Sequence, residues 1–241
     1  MSNGQTRVAL LAGASGLTGG YVLDALLGAA DFGRVIAVTR RPLAREDPRL
    51  ANRIVQFERL EAQLKGVTCE VALCCLGTTL ARAGSRERFR EVDVDHVVAF
   101  ARAALAARAQ RLVVMSSAGA DPRSRNFYLR TKGEMEEELE GLGFAALDIL
   151  QPGLLLGWRR EMRPLELAAM ALMPLVNPLL VGKRAAFRGI SARQVAAAMV
   201  GATRSGRKGV QRYLNPGIDA LARVAPTRAA ATSAGKGAGT R

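Results

Sequence analysis

The chain has 241 residues, of which 49% are hydrophobic and 23% charged. A chain of this length and composition can build one well-filled core, which excludes a mainly disordered, collagen-like or coiled-coil protein. Lysine and arginine outnumber aspartate and glutamate by 35 to 21, a formal net charge of +14. This excess favours anionic partners, whether phosphorylated cofactors, nucleic acid or membrane surface, without choosing among them.

Short β-rich segments alternate with longer helical patterns over the first 150 residues. The predicted strands are Arg7–Gly13, Arg34–Thr39, Arg53–Phe57, Glu70–Leu76, Arg111–Ser117 and Phe144–Leu150. The predicted helices are Leu17–Ala30, Val92–Ala109 and Tyr128–Glu140. Such alternation is typical of a parallel sheet covered by helices on both faces, and right-handed crossovers make it a doubly wound α/β fold.

The pattern changes after Pro152. Arg163–Val181 is rich in leucine, methionine and alanine, but prolines interrupt it, so it predicts helices packed on the domain and not a membrane span. Ser191 is placed as the N-cap of a helix that contains the apolar run Val195–Val200. A last strand is predicted over Val210–Asn215. These small C-terminal elements would lie on the substrate side of the domain.

One domain is expected over residues 1–218, followed by a disordered, basic, Ala/Gly-rich tail over residues 219–241. Large apolar residues almost disappear in that tail. An alternative, a nucleic-acid-binding arm, is less favoured because the tail lacks aromatic residues for stacking, so no nucleic-acid partner is expected.

Cys69, Cys74 and Cys75 share one apolar segment, which predicts buried thiols in a reducing compartment. The N-terminus lacks a secretory pattern, which favours the cytoplasm. His96 is the single histidine and lies in an apolar helix pattern, so no metal site is predicted.

A glycine-rich turn follows the first predicted strand and opens the first helix. It reads Gly13-Ala14-Ser15-Gly16-Leu17-Thr18-Gly19. Glycines in this context allow a tight turn and a close approach of backbone to phosphate, and the helix N-terminus offers free N–H groups to a diphosphate. The motif predicts nucleotide binding; a tight turn without a ligand is the alternative.

The second strand ends in Thr39-Arg40-Arg41. An NAD site usually has a carboxylate here for the ribose 2′-hydroxyl, whereas guanidinium groups can bind a 2′-phosphate. Arg40 and Arg41 therefore favour NADP over NAD. Two exposed arginines without a ligand are the alternative.

A second constellation follows the fifth strand. It comprises Ser116 and Ser117 and, further on, Tyr128 and Lys132. Positions i and i+4 share a helix face, so the Lys132 ammonium can stabilise a Tyr128 phenolate while a serine binds the substrate oxygen. This is acid–base chemistry for hydride transfer to or from a carbonyl. Successive strand residues face opposite ways, so one of the two serines is expected to face the site.

Four segments resemble the Tat-interactive-protein-like branch of the atypical short-chain dehydrogenases/reductases. They are Cys74–Thr79, Ser116–Asp121, Asn126–Glu134 and Gln151–Leu155, within a likeness that extends from about Arg7 to Asn215. The resemblance implies a Rossmann domain that binds NADPH. It further implies that Leu76, Gly77 and Thr78 run beside the cofactor, that Ser117 (or Ser116), Tyr128 and Lys132 are catalytic, and that Pro152, Gly153, Leu154 and Leu155 border the nicotinamide.

The family usually has arginine where this chain has Gln151, so the substitution is expected to remove a charge close to the substrate pocket. Three functions remain open. The first is an NADP-dependent oxidoreductase acting on an unidentified carbonyl or alcohol. The second is an NADPH-binding redox sensor that contacts a protein partner or a second copy of itself. The third, a sugar-nucleotide epimerase, is disfavoured because epimerases usually carry a larger C-terminal substrate domain.

Overall fold

The computed structural model describes residues 6–156 and 188–224. Its strands are β1 (Arg7–Ala12), β2 (Phe32–Thr39), β3 (Leu50–Ile54), β4 (Val71–Cys74), β5 (Arg111–Met115), β6 (Ala146–Leu150), β7 (Leu155–Leu156), β8 (Ile190–Ser191) and β9 (Gly209–Tyr213). Seven of them form one sheet in the order β3-β2-β1-β4-β5-β6-β9, and every neighbouring pair is parallel. β7 and β8 form a separate parallel pair.

Helices cover both faces of the sheet. They are α1 (Leu17–Gly28), α2 (Leu60–Gln63), α3 (Leu80–Ala83), α4 (Arg86–Arg90), α5 (His96–Ala106), α6 (Phe127–Glu140), α7 (Ala192–Ala202) and α8 (Asn215–Val224). A 3₁₀ turn at Phe57–Arg59 precedes α2, and a π-helical turn at Glu91–Asp95 precedes α5.

Each face of the sheet has its own buried core. α5 and α6 cover one face with side chains that include Phe100 and Met135. α1, α7 and α8 cover the other with side chains that include Val22, Met199 and Ile218. This arrangement confirms the predicted doubly wound parallel sheet.

The strand order reverses between β1 and β4. The chain proceeds outward from β1 through β2 to β3 and then returns to β4, on the other side of β1. In an open parallel sheet, the crevice beyond the carboxyl ends of the strands at such a reversal is where ligands bind. Gly13 follows β1 and Cys75 follows β4, so the predicted glycine turn lies at this crevice.

Several predicted boundaries are wrong. The third strand runs over Leu50–Ile54 and not Arg53–Phe57. Among the described residues it pairs with β2 alone, at the edge of the sheet, and it is half-exposed, so it lacks the apolar signal of a central strand. Phe57 belongs to the 3₁₀ turn that follows, and it is buried there. The short helices α2, α3 and α4 have no counterpart among the predicted elements.

The C-terminal part is folded further than the sequence suggests. α8 runs from Asn215 to Val224 and buries Ile218 and Leu221. The predicted tail therefore does not begin at residue 219: Ile218 and Leu221 pack into the core, and the Asp219 carboxylate accepts a hydrogen bond from the Gln194 side chain at 2.6 Å. Ser191 does cap α7: its hydroxyl accepts a hydrogen bond from the Gln194 amide at 3.1 Å. The predicted helices within Arg163–Val181 and the tail beyond Val224 lie outside the described residues.

Asp31, just before β2, joins two arginines from distant parts of the chain. Its carboxylate accepts hydrogen bonds from Arg204 at 2.6 and 2.9 Å and pairs with Arg7. Burial alone would raise the pKa of Asp31, but these two guanidinium groups hold it at about 2, below its ordinary 3.8.

A lowered pKa in the fold means that Asp31 stabilises the protein above its unfolded pKa and stops doing so as pH falls towards 2. We expect Asp31→Asn to lower the free energy of unfolding by about 1 kcal/mol at neutral pH, since the carboxylate is partly exposed and screened. The loss should vanish by about pH 2 in urea denaturation series. Asp24→Asn, in the exposed pair with Arg45, is the control and should change little at any pH. A loss for Asp31→Asn that is independent of pH would contradict this account.

Candidate functional site

The turn after β1 is built from glycine for steric reasons. Gly13 has a φ of +84°, and a Cβ on it would lie 2.6 Å from the carbonyl carbon of Cys75. A Cβ on Gly19 would lie 2.0 Å from the carbonyl oxygen of Gly13. Both distances are far below van der Waals contact, so these two glycines allow β1, α1 and the end of β4 to pack closely.

The amino end of α1 is suited to an anion. Gly16 occupies the N-cap position without a side-chain cap, and no acidic residue lies in the first turn with Leu17. Ser15 and Gly16 are exposed. The Thr18 hydroxyl is buried and has no hydrogen-bond partner in the part of the chain that the structure describes. Free amides at the positive end of the helix dipole, with a spare hydroxyl beside them, fit the diphosphate of a dinucleotide.

Arg40 and Arg41 are exposed at the carboxyl end of β2. Asn52 organises the backbone around them: its amide donates to the Thr39 hydroxyl at 2.7 Å, and its oxygen accepts from the Leu43 amide at 2.8 Å. Neither arginine side chain has an ion pair or a hydrogen bond within residues 6–156 and 188–224. Their charges are therefore available to a phosphate, and the ordering role of Asn52 is one that the sequence did not reveal.

Tyr128 and Lys132 lie one turn apart on α6. Asn126 caps this helix by accepting a hydrogen bond from the Leu129 amide at 3.2 Å. The Tyr128 ring packs against Phe89, with 5.7 Å between ring centroids. Lys132 is only 4% exposed and interacts electrostatically with Tyr128. The structure therefore brings this predicted pair together.

Asp93 is the partner of Lys132, which the sequence analysis did not identify. Its carboxylate is completely buried, and its Oδ1 lies 2.6 Å from Lys132 Nζ. Burial alone would lower the pKa of Lys132, but the charge of Asp93, with a smaller contribution from Tyr128, raises it above 10.5. Lys132 is therefore an ammonium at neutral pH. A sequence signal existed, because Asp93 lies four residues before the buried Val97 on the same helical stripe.

The segment Leu76–Thr78 connects the glycine turn with the Lys132 pair. A Cβ on Gly13 would lie 2.9 Å from the Leu76 amide nitrogen, and a Cβ on Gly77 would lie 3.7 Å from Lys132 Nζ. The Thr78 amide donates to Asp93 Oδ2 at 2.8 Å. The segment Leu76–Thr78 thus adjoins the glycine turn at one end and the Lys132 ammonium at the other.

The two serines after β5 have different environments. Ser116 is buried, and its hydroxyl donates to Glu136 Oε1 at 2.5 Å. Ser117 is half-exposed, and the contact of its hydroxyl with the Ala118 carbonyl oxygen is long, at 3.5 Å. Of the two, Ser117 is the one whose hydroxyl is not taken by a buried carboxylate.

The loop after β6 lies beside the loop after β5. The Ala118 amide donates to the Pro152 carbonyl at 2.9 Å. The Gly153 amide donates to the side chain of Asn215 at 3.0 Å, while Leu154 is exposed and Leu155 pairs with β8. The predicted nicotinamide-bordering loop therefore adjoins Ser117, anchored by an asparagine that the sequence analysis did not single out.

The surroundings of Gln151 contain a positive charge although Gln151 itself is neutral. Its side chain is buried, and its amide donates to both oxygens of Glu136, at 2.9 and 3.0 Å. Arg212 on β9 donates to the same carboxylate at 3.0 Å. The expected loss of a charge is thus offset by a guanidinium from another strand.

His96 and the cysteines lie apart from this chemistry. His96 stacks on Phe57 at 4.8 Å and lies 3.5 and 3.8 Å from the exposed carboxylates of Glu58 and Glu91. All three thiols are buried and unpaired. Burial raises the pKa of Cys74 to about 12, so its thiol stays protonated at neutral pH.

Fold and site together define a dinucleotide-binding Rossmann domain of the short-chain dehydrogenase/reductase class. A family profile described as NAD(P)H-binding matches residues 13–162. Protein HTATIP2 of Rattus norvegicus is 38% identical over 166 residues, which cover 67% of this chain and 68% of that protein. Mitochondrial protein fmp52 of Aspergillus fumigatus is 36% identical over 165 residues, covering 66% of this chain and 70% of that protein. The chain belongs to this atypical short-chain dehydrogenase/reductase family and contains its NAD(P)H-binding domain.

Solved structures with the same fold are more distant. Human epimerase family protein SDR39U1 with NADPH is 18% identical with a TM-score of 0.59, covering 87% of this chain and 74% of its own. WbmH of Bordetella bronchiseptica with NAD⁺ is 14% identical with a TM-score of 0.65, covering 91% of this chain and 80% of its own. At such identities the likeness shows the fold alone.

Among the helices of residues 6–156 and 188–224, none has the length and apolar character needed to cross a bilayer.

Proposed function

We propose that this protein is an NADP-dependent oxidoreductase that reduces a carbonyl, or oxidises the corresponding alcohol, on a small molecule. The observation that carries the proposal is the segment Leu76–Thr78, which contacts the glycine turn on one side and the Asp93–Lys132 pair on the other. A dinucleotide with its diphosphate on the turn would run along this segment towards Tyr128 and Lys132.

Different groups of residues would bind the diphosphate, the 2′-phosphate and the remainder of the cofactor. Gly13, Ser15, Gly16, Leu17, Thr18 and Gly19 would form the turn around the diphosphate, with the free backbone amides at the start of α1 and the Thr18 hydroxyl as donors. Arg40 and Arg41 would pair with the 2′-phosphate. The remainder of the cofactor would be enclosed by Leu76, Gly77, Thr78, Pro152, Gly153, Leu154 and Leu155. Ser116 would contribute indirectly, through its hydrogen bonds to Glu136 and to the Leu150 carbonyl.

NADPH, when bound, supplies the hydride that reduces the carbonyl carbon. The Tyr128 hydroxyl donates a proton to the carbonyl oxygen, so the product is an alcohol and Tyr128 is left as phenolate. The Lys132 ammonium stabilises that phenolate, and the Ser117 hydroxyl orients the carbonyl by hydrogen bonding. A proton from solvent then restores Tyr128. The reverse sequence oxidises the alcohol.

The proposal is tested by following NADPH consumption across a panel of aldehydes, ketones and quinones. We expect turnover with at least one class and binding of NADPH in the nanomolar-to-micromolar range usual for such sites. A protein that binds neither NADPH nor NADH would overturn the proposal.

A second candidate function is an NADPH-binding redox sensor without turnover. It is favoured by the pairing of Lys132 with Asp93 at 2.6 Å, which compensates the charge that would otherwise stabilise a Tyr128 phenolate. Tight NADPH binding without turnover of any carbonyl would favour this candidate. Binding of the same protein partners with and without NADPH would count against it. An epimerase is not proposed, because only distant fold neighbours point to it.

The cytoplasm is our proposed location, since the three unpaired cysteines fit a reducing compartment. The fungal relatives are named mitochondrial proteins, so fractionation of the native host is the deciding measurement.

The cofactor preference gives a sharp prediction. Replacing Arg40 and Arg41 together with alanine should raise the Kd for NADPH by roughly 10- to 100-fold, because a hydrogen bond to a charged group contributes about 1.5–3 kcal/mol. The Kd for NADH should stay unchanged, since NADH lacks the 2′-phosphate. Arg34→Ala, an exposed arginine at the opposite end of β2, is the matched control. An equal loss of affinity for both cofactors would show that the arginines do not read the 2′-phosphate.

A further inference from the structure

Glu136 is a buried carboxylate one helical turn beyond Lys132, on the same side of α6. It is 3% exposed and accepts hydrogen bonds from three side chains. The Ser116 hydroxyl donates at 2.5 Å, the Gln151 amide at 2.9 and 3.0 Å, and the Arg212 guanidinium at 3.0 Å. A buried carboxylate is tolerated only when such partners compensate its charge and fill its lone pairs.

The donors come from the carboxyl ends of the last three strands of the sheet. Ser116 directly follows β5, Gln151 directly follows β6, and Arg212 lies near the end of β9. Backbone hydrogen bonds connect the same ends. The backbone N–H of Ser116 donates to the Leu150 carbonyl at 2.7 Å, and the backbone N–H of Gln151 donates to the Tyr213 carbonyl at 2.8 Å. Glu136 therefore attaches α6 to the strand ends from which both site loops depart.

Two of these three donors directly precede a residue of the site. Ser116 precedes Ser117, and Gln151 precedes Pro152. The side chain of Ser116 points to Glu136, and successive residues in extended chain face opposite ways, so fixing Ser116 also fixes the direction of Ser117. Tyr128 lies two turns before Glu136 on the helix that carries it.

We propose that Glu136 is a positioning residue that holds Ser117 and the Pro152 loop in register with Tyr128, and that Arg212 is the counter-ion that this carboxylate requires. The proposal rests on the oxidoreductase function proposed above. The Gln151 side chain donates to both oxygens of Glu136, so position 151 on the β6 side can also supply the positive charge. An arginine at position 151 would therefore reach Glu136 when Arg212 is replaced.

The first experiment exchanges the charge between the two positions. It compares Arg212→Gln, Gln151→Arg and the double variant. Arg212→Gln should lower the melting temperature by roughly 5–10 °C, as expected when a buried carboxylate in a domain of this size loses its counter-ion. The double variant should recover most of the lost stability. If Gln151→Arg gives no rescue in the Arg212→Gln background, Arg212 is not the required counter-ion and that part of the proposal is wrong.

The second experiment tests positioning. Glu136→Gln, assayed well below its melting temperature, should lower kcat by roughly 10-fold or more while the Kd for NADPH changes by less than about twofold, since the phosphate-binding end is untouched. The neighbouring exposed Glu137→Gln is the matched control and should equal the wild type. A Glu136→Gln enzyme with lower stability but wild-type kcat would overturn the positioning role.

The two proposals fail differently. If the wild-type protein binds NADPH without turnover, the oxidoreductase function fails, and the emission of bound NADPH replaces kcat as the readout. A changed emission in Glu136→Gln, with Glu137→Gln unchanged, would then support positioning, and an unchanged emission would overturn it. If NADPH does not bind at all, the positioning role falls with the proposed function, while the melting temperatures of the charge-exchange variants still decide the counter-ion role of Arg212.

Discussion

Replacing Tyr128 with phenylalanine is expected to lower kcat by about 100- to 10,000-fold, the range that a positioned proton donor contributes. The substitution removes one hydroxyl and leaves the ring that packs on Phe89 at 5.7 Å. NADPH affinity should therefore stay within about twofold of the wild type, because ground-state binding of the cofactor does not require the proton. The measurement is steady-state NADPH oxidation with the best substrate of the carbonyl panel, together with a fluorescence titration of NADPH.

Tyr21→Phe provides the matched control. Tyr21 lies on α1 under the guanidinium of Arg193, which is 5.3 Å from its ring centroid. The Tyr21→Phe variant loses the same hydroxyl at a position outside the proposed proton path, so the kcat of this variant should equal that of the wild type. Undiminished turnover in Tyr128→Phe would remove Tyr128 from the mechanism. A parallel loss of NADPH binding would show instead that the hydroxyl holds the cofactor.

The sheet was predictable because its central strands are buried on both faces. Strands such as β1 and β4 therefore consist of nearly continuous apolar residues that stand out between helical patterns. The edge strand β3 lacks this signal, since one of its edges and part of its surface face solvent. The end of the domain was misplaced for a related reason: the large apolar residues that α8 buries are only Ile218 and Leu221, and two such residues do not stand out in the composition of the segment.

In the candidate site, too, the parts that follow from a local sequence pattern were predictable, and the parts that depend on distant contacts were not. The glycine turn and the Tyr128–Lys132 pair are local patterns, four to seven residues long, whose geometry follows from a turn or one helical repeat. Asp93 and Glu136 act on residues that are 39 and 20 positions away, Lys132 and Ser116. Their roles depend on which helix faces which strand end, and a single sequence does not specify such contacts. For Asp93 the available signal was a carboxylate on an otherwise apolar helical stripe, whereas Glu136 lies among the other glutamates of α6 and has no such signal.

Removing the carboxylate of Asp93 should have the largest effect on stability. Asp93→Ala leaves the Lys132 ammonium buried without a counter-ion and the Thr78 amide without an acceptor. Breaking one side of a buried ion pair costs about 3–5 kcal/mol, so the free energy of unfolding should fall by that amount in urea titrations at neutral pH. Asp95→Ala, an exposed aspartate on the same π-helical turn, is the matched control and should stay within about 0.5 kcal/mol of the wild type.

The pH dependence separates loss of charge compensation from loss of packing. In the wild type the pKa of Lys132 is raised above 10.5, so its contribution to stability is fully present below pH 10.5 and is lost only at higher pH. Without Asp93, burial should lower the pKa of Lys132 below its unfolded value, so the folded variant gains stability relative to the unfolded chain as the ammonium deprotonates. The stability gap between wild type and Asp93→Ala should therefore narrow between about pH 7 and about pH 10. A gap that stays constant over this range would mean that Asp93 contributes by packing and hydrogen bonding to Thr78, and that Lys132 is not held charged by it.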